Sequence, residues 1–301
     1  MLAMLERLMH NTGMRRLDNA TRSQVIRCLV EGTSIRATVR MTGVAKKTVM
    51  RLLCEIGEVC REYQDAAFRN LTCRRLQLDE IWSFCGAKER NLPAEERGKL
   101  GRGDVWTWVA IDADTKLVPS WLVGKRDARC AIEFVNDLAA RLRFRVQITS
   151  DGHRPYLVAI ENAFGSDVDY AMLIKIYGSP LDADNRYSPP ECIGIESRII
   201  SGDPDGDHIS TSYVERQNLT MRMHMRRFTR LTNAFSKKLE NHAAAIALHY
   251  MHYNFCKIHQ TLRVTPAMAA GVTDRVWDAE DVVRILEAKE WSRTKTAQKL
   301  G

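Results

Sequence analysis

The sequence predicts an α/β fold, a mixed β-sheet with covering helices that is preceded by an all-helical segment. Residues 22–53 place apolar side chains at helical spacing. From Arg74 onward, β-branched and aromatic runs of strand length alternate with longer helical patterns, which is typical of a sheet covered by helices. At 301 residues the chain is long enough for a sizeable core and for two domains.

The helical segment predicts three short helices. Ser34 can cap the second helix, and Thr42-Gly43 makes a tight turn before the third. A short helix, a glycine-containing turn and a second helix with a basic outer face form the helix-turn-helix pattern, whose second helix enters the DNA major groove. The alternative is a small helical bundle whose lysines are merely solvated. The residues that we expect to contact DNA are Lys46, Lys47, Met50 and Arg51.

Five strands and two intervening helices are predicted in the middle of the chain. The strands are residues 76–84, 105–111, 118–123, 146–149 and 170–176, and the helices are residues 128–142 and 154–164. Residues 179–207 are rich in proline, glycine and aspartate and predict a long loop. Further helices are expected at residues 212–230, 235–255 and 278–289.

Composition favours a reduced compartment and a polyanionic partner. The net charge is +8, and the eight cysteines are scattered without a CxxC pair, which argues against a zinc ribbon and against a disulfide framework. Residues 1–16 lack the uninterrupted apolar core of a signal peptide, and no apolar stretch is long enough for a membrane span. We therefore expect a cytoplasmic, nucleoid-associated protein with mostly buried thiols.

Three acidic segments lie far apart in the sequence. Asp79 and Asp151 sit at or near the ends of apolar strands, and Glu215 lies in an arginine-rich helical stretch. Carboxylates gathered from distant parts of a chain suit hard divalent cations such as magnesium. Because neighbouring side chains in a strand point to opposite faces, we expect Asp79 and Glu80 not to bind the same ion, and we prefer Asp79. Taken singly, Asp151 could be a turn residue and Glu215 a surface glutamate.

A run of cations follows the third acidic segment. Residues 216–239 contain seven lysines and arginines and no acidic residue. On a continuous helix, Glu215, Arg222 and Arg226 would share one side, and such a positive rail would bind a phosphate backbone. A solvated helix face is the alternative. The arginines that we expect to bind DNA are Arg216, Arg222, Arg226, Arg227 and Arg230.

Three segments together resemble the catalytic segments of DDE transposases of bacterial insertion sequences, in particular the insertion-sequence-one branch. They are residues 79–88, Ser150-Asp151-Gly152 and residues 214–218, and the resemblance covers about residues 74–262. It implies a ribonuclease H-like fold, two magnesium ions that manganese can replace, and Asp79, Asp151 and Glu215 as the catalytic, metal-binding triad.

The N-terminal helical pattern and this resemblance together predict a domain organisation and an activity. Residues 1–65 would form the helix-turn-helix domain, residues 74–262 the ribonuclease H-like catalytic domain and residues 263–301 a helical tail. The enzyme would bind the terminal inverted repeats of its element, cleave there and join the 3′ ends to target DNA, as a homodimer or higher oligomer on double-stranded DNA. Two alternatives remain, a catalytically inactive DNA-binding regulator and another nuclease of the same fold.

Overall fold

The computed structural model describes residues 16–178, 192–229 and 233–300, which are built around a six-stranded mixed sheet. The strands are β1 (Arg75–Cys85), β2 (Gly103–Asp112), β3 (Ser120–Gly124), β4 (Val146–Ser150), β5 (Val168–Tyr177) and β6 (Cys192–Ser201). Their order is β3-β2-β1-β4-β5-β6. Strand β4 runs parallel to β1 and β5, and the other pairs are antiparallel. The predicted α/β architecture is therefore confirmed.

Nine α-helices accompany the sheet in the described part of the chain. They are α1 (Asn19–Val30), α2 (Ile35–Thr42), α3 (Lys46–Ala67), α4 (Ala128–Ala139), α5 (Pro155–Phe164), α6 (Ser212–His224), α7 (Leu239–Met251), α8 (Pro266–Ala269) and α9 (Ala279–Leu300). Among these described helices, none is long and apolar enough to cross a membrane.

The helices form layers on both faces of the sheet. Phe134 of α4 and Tyr156 of α5 pack with Trp108 of β2 in the larger hydrophobic core. On the opposite face, Val214 of α6 packs in a second core with Ile81 of β1. Because β1 lies in the middle of the sheet, both cores meet on it, and its side chains alternate between the two layers.

Three helices form the N-terminal segment at the predicted places. The Ser34 hydroxyl accepts a hydrogen bond from the Ala37 N–H at 3.1 Å, and Gly43 ends α2 with a left-handed φ of 70°. The third helix is longer than predicted and ends at Ala67, because its second half is buried. A Cβ on Gly57 would lie 2.5 Å from the Ala244 Cα, so only glycine allows α3 to pack this closely on α7.

The C-terminal helix α9 returns to the N-terminal helices. Glu290 binds Arg22 at 3.1 Å, and Lys289 binds Glu62 at 2.6 Å. Buried residues of α1, α3 and α9 belong to the same hydrophobic core as the sheet. The division into domains at residues 1–65, 74–262 and 263–301 stays a prediction.

The long loop predicted for residues 179–207 is wrong for residues 192–201. Strand β6 lies there and pairs with β5 antiparallel along its length. Glycine and charged residues interrupt the apolar pattern of β6, and its pairing with β5 is a tertiary contact that sequence periodicity does not report. Residues 179–191 of that predicted loop lie outside the described residues.

The helix predicted for residues 212–230 is also shorter than expected. Helix α6 ends at His224, Met225 is extended at φ −123° and ψ 102°, and a 3-10 turn follows at Arg226–Phe228. Arg226 is therefore not on the same helix as Glu215, and the prediction of one continuous positive rail is wrong. Arg230 lies outside the described residues.

Candidate active site

The first two acidic segments meet at one edge of the sheet. Strands β1 and β4 are parallel neighbours, and Leu78 pairs with Ser150 in their register. Asp79 follows Leu78, near the middle of β1, where the pairing with β4 stops, and Asp151 is the first residue after β4. The carboxyl end of β4 therefore lies beside Asp79, and ligand sites of α/β sheets form at such carboxyl ends. Two carboxylates that are distant in sequence are thereby adjacent in space.

The two acidic residues of β1 point to opposite faces, as predicted. Asp79 faces α6, because its Oδ2 accepts a hydrogen bond from the Asn218 side-chain amide at 2.7 Å. Glu80 faces the other layer, where its Oε2 accepts a hydrogen bond from the Arg126 Nε at 2.9 Å. The Glu80 side chain is only 1% exposed, so its carboxylate is buried beside this cation and the Tyr156 hydroxyl.

The conclusion that Asp79 and Glu80 could not share an ion is nevertheless wrong. One carboxylate oxygen of each of Asp79, Glu80 and Asp151 lies within 4.8 Å of the other two. Strand β4 ends at Ser150, which leaves Asp151 beyond the ladder, and the longer glutamate side chain reaches the same edge from the opposite face. The structure thus adds Glu80 to the acidic cluster of Asp79 and Asp151.

The acidic cluster carries more negative charge than the neighbouring cations neutralise. Burial, followed by the charge of Asp151, raises the pKa of Asp79 to about 6. Burial, again followed by Asp151, raises the pKa of Glu80 to about 7. Arg126 offsets part of this charge, since its Nη2 lies 3.5 Å from the Asp151 Oδ2. The Arg126 guanidinium also lies over the Trp106 ring, 5.0 Å from the ring centre. A divalent cation would favour the ionised form of all three carboxyls.

The third predicted carboxylate, Glu215, is not a member of that cluster. Its Oε1 is hydrogen-bonded to the Lys175 ammonium of β5 and accepts a hydrogen bond from the Thr211 hydroxyl at 2.6 Å. The side chain is 42% exposed. Its charge contributes to the raised pKa of Asp79, after burial and Asp151, so Glu215 is a close neighbour of the cluster.

Two amide side chains dock the helix of Glu215 onto strand β1. The Gln77 Oε1 accepts hydrogen bonds from the N–H groups of Tyr213 at 2.8 Å and Val214 at 3.1 Å, in the first turn of α6. Gln77, which is 3% exposed, therefore caps this helix from the strand. Asn218, one turn after Glu215, binds Asp79 directly.

Sequence reasoning missed four residues of this site: Gln77, Arg126, Lys175 and Asn218. Two of these four residues could have been recognised from the sequence. Gln77 is a polar residue in an apolar strand, two positions before Asp79 and so on the same face, and Asn218 follows Glu215 at i+3 on one helix face. The cations come from a loop and from β5, and nothing in their local sequence marks them.

The donor atoms at the cluster fit a hard divalent cation. They are carboxylate oxygens, the ligands that magnesium prefers. The Asn218 Oδ1 is buried and has no hydrogen-bond partner among the described residues, and the buried Glu80 carboxylate has the Tyr156 hydroxyl beside it. Buried oxygens without a donor are costly unless a cation or water satisfies them. Asp79, Glu80 and Asp151 could therefore hold magnesium, with Glu215 beside them.

The described residues that were predicted to bind DNA lie on three elements: α3, α6 and the Arg226–Phe228 turn. Lys46 and Met50 of α3 line one groove of about 700 Å³ together with Arg226 and Arg227. No aspartate or glutamate is among the described residues that line this groove. Lys47 and Arg51 are exposed on α3, and Arg51 lies 3.7 Å from Glu55. On α6, Arg216 is exposed and Arg222 is half-buried.

Comparison with known proteins gives a distant structural similarity. No model of a protein family matches the chain, and no curated protein matches its sequence significantly. Among solved structures, the chain is similar to a piggyBac transposase in a synaptic complex with hairpin DNA, at a TM-score of 0.44 and 11% identity. The alignment covers 91% of this chain and 72% of the other. A similarity this distant leaves the function to be inferred from the geometry of the site.

Proposed function

We propose that the protein is a DDE transposase, a magnesium-dependent enzyme that cleaves the ends of its element and joins them to target DNA. The observation that carries this proposal is the convergence of Asp79, Glu80 and Asp151 within 4.8 Å, beside a helix that presents Glu215. Carboxylates from two strands and a helix, together with a groove lined by Lys46, Arg226 and Arg227, suit phosphodiester chemistry on a polyanion.

In this proposal Asp79, Asp151 and Glu215 form the metal-binding triad, and Glu80 is an additional ligand. Bound magnesium would stabilise the charge that develops on the attacking and leaving oxygens of an in-line displacement at phosphorus. In the cleavage step water would attack the phosphodiester at the element end, and the 3′-oxygen of the element would leave as a hydroxyl. In the joining step that 3′-hydroxyl would attack a phosphodiester of the target DNA, and the 3′-oxygen of the target strand would leave. The chain itself orients the carboxylates through Gln77 and Asn218.

The proposal also assigns the DNA contacts. Helix α3 would be the second helix of a helix-turn-helix that reads the terminal repeats, and the sheet with its helices would be a ribonuclease H-like catalytic domain. The groove between α3 and the Arg226–Phe228 turn is lined by cations from both regions, which supports phosphate binding between them.

Cleavage of element-end DNA by single variants tests the metal-binding triad. Asp79→Asn, Asp151→Asn and Glu215→Gln should each lower the cleavage rate by about a thousandfold, because loss of several kcal/mol of transition-state stabilisation has that effect. Binding of end DNA should stay near wild type. Asp167→Asn, whose side chain is 78% exposed, is the matched control and should cleave normally. Calcium should support binding without cleavage, and full activity in a chelator would refute the proposal.

Binding titrations on specific and random duplexes test the DNA contacts. Arg51→Ala should remove about 1–3 kcal/mol of preference for the terminal repeats, as expected for a lost base contact. Arg226→Ala should instead weaken binding to both duplexes alike and flatten the salt dependence, as expected for a lost phosphate contact. An unchanged specificity ratio for Arg51→Ala would remove α3 as the reader of sequence.

A further inference from the structure

Strand β6 extends the sheet beyond its other strands. Its partner β5 pairs with β4 only as far as Met172, whereas β5 and β6 remain paired to Tyr177 and Cys192. The final residues of β5 therefore belong to a two-stranded ribbon that projects past the sheet. In the described sheet β6 is an edge strand, so one row of its backbone N–H and C=O groups has no strand partner.

The edge strand β6 is unusually apolar for its exposure. Ile193 is 67% exposed, Ile195 is 62% exposed and Ile199 is 58% exposed. Natural proteins protect such edges with lysine or proline, and β6 contains neither. A contiguous set of exposed branched side chains on an unpaired edge is typical of a surface that binds another strand.

The sequence of β6 is complementary to itself when it is reversed about Ser197. Within one strand, the Arg198 guanidinium donates a hydrogen bond to the Glu196 carboxylate at 3.0 Å. A two-fold axis at Ser197 would place Glu196 also opposite Arg198 of the partner subunit, and Ile195 opposite Ile199 of the partner subunit. Both opposite charges and apolar pairs across two antiparallel strands are stabilising. A two-fold axis at Glu196 would instead set two glutamates against each other, which is unfavourable. The stretch from Gly194 to Ile199 pairs with β5 without a register shift, so it presents a regular edge.

We propose that β6 pairs antiparallel with β6 of a second copy of this chain, with the two-fold axis at Ser197, so that two sheets join into one. An isologous contact of this kind closes a dimer and leaves no further free edge at β6. In the register of each sheet, Ile195 is opposite Lys175, the residue that binds Glu215. The interface is thus one strand away from the candidate active site.

Cysteine cross-linking tests the position of the two-fold axis. In a Cys192→Ser background, which removes the exposed cysteine, Ser197→Cys should form a disulfide-linked dimer because residue 197 faces its own copy. Ser201→Cys is the matched control, since the two copies of residue 201 would be about 26 Å apart along the strands. Equal cross-linking of both variants, or none of Ser197→Cys, would overturn the proposal.

Charge reversal tests the pairing without cysteine. Sedimentation of the full chain should give twice the mass of one chain for the wild type. Glu196→Arg alone and Arg198→Glu alone should each dissociate the dimer at least about tenfold more easily, a change of 1.4 kcal/mol. The double variant should restore the wild-type dissociation constant. A monomeric wild type, or a double variant no better than the single ones, would overturn the pairing. These measurements use neither DNA nor metal, so they are independent of the proposed reaction.

Discussion

The carboxylates of the sheet edge and the carboxylate of helix α6 are held in different ways. Asp79 and Glu80 are adjacent on a central strand, and Asp151 follows the parallel strand beside it, so backbone ladders fix their spacing. Glu215 comes from a helix that contacts the strand at its first turn through Gln77 and one turn later through Asn218. Its own carboxylate is bound by Lys175 and is 42% exposed.

This difference indicates which part of the site exists before substrate binds. The cluster of three strand-edge carboxylates is assembled by the fold, with raised pKa values that reflect burial and mutual repulsion. The position of Glu215 depends on a few side-chain hydrogen bonds and on an ion pair with a lysine. In the proposed reaction, the sheet would therefore provide the first metal contacts and the helix would complete them.

Metal binding without DNA should show the largest difference between the sheet-edge carboxylates and Glu215. Asp79→Asn and Asp151→Asn should raise the Kd for manganese by about a hundredfold, the equivalent of roughly 3 kcal/mol, because each removes a charged ligand. Glu215→Gln should raise the Kd by less than about tenfold. Isothermal titration calorimetry on the three variants measures this difference. Equal losses in all three variants would show that Glu215 is already part of the metal site.

Replacing Gln77, which caps α6, is the next test of the difference between the sheet-edge carboxylates and Glu215. Gln77→Leu leaves two N–H groups of α6 without an acceptor, at a cost of about 1–3 kcal/mol each. Cleavage should slow by about tenfold or more as Glu215 loses its position. Manganese binding without DNA should change little, since the strand-edge carboxylates remain.

The conservative variant distinguishes positioning from general destabilisation. Gln77→Glu keeps an acceptor at the helix N-terminus, where negative charge is favourable, and should recover part of the cleavage rate, since its carboxylate also lies on the same strand face as Asp79 and repels it. A Gln77→Glu variant as slow as Gln77→Leu, with both folded by circular dichroism, would show that the cap does not act through α6.

The smallest expected effect is on stability as a function of pH. The pKa values of Asp79 and Glu80 lie above their ordinary values in the folded protein, so the folded state binds more protons. The contribution of these two groups to the free energy of unfolding is complete below about pH 4 and is lost as the pH rises to about 7. The Tm of the metal-free protein should fall by roughly 2–4 °C for each kcal/mol lost.

Glu80→Gln provides the control for that measurement. Its difference from wild type in Tm between pH 5 and pH 8 isolates the contribution of one buried carboxyl from all other titrations. Manganese should raise the wild-type Tm more at pH 8 than at pH 5, because the ion replaces bound protons. A stabilisation by manganese that is the same at both pH values would contradict the raised pKa values.

Local patterns in the sequence were sufficient for most of the fold. Apolar runs predicted β1, β2 and β4 within a few residues, and the helix-capping residue Ser34 forms its expected hydrogen bond. Strand β6 and the end of α6 at His224 were not predictable in this way. An edge strand is defined by its partner. Met225 and Phe228, which follow α6, are buried in the second core, a tertiary contact that helical periodicity does not report.

The sequence by itself determined the chemistry of this protein: its carboxylates, its excess of cations, and the alternation that separates Asp79 from Glu80. Only the tertiary structure decided that Glu80 rejoins Asp79 and Asp151 and that Gln77 and Asn218 dock the helix of Glu215. The physical reason is that alternation and capping are local properties of the backbone. The distance between carboxylates depends on where a neighbouring strand stops and on which side chains lie across the sheet edge.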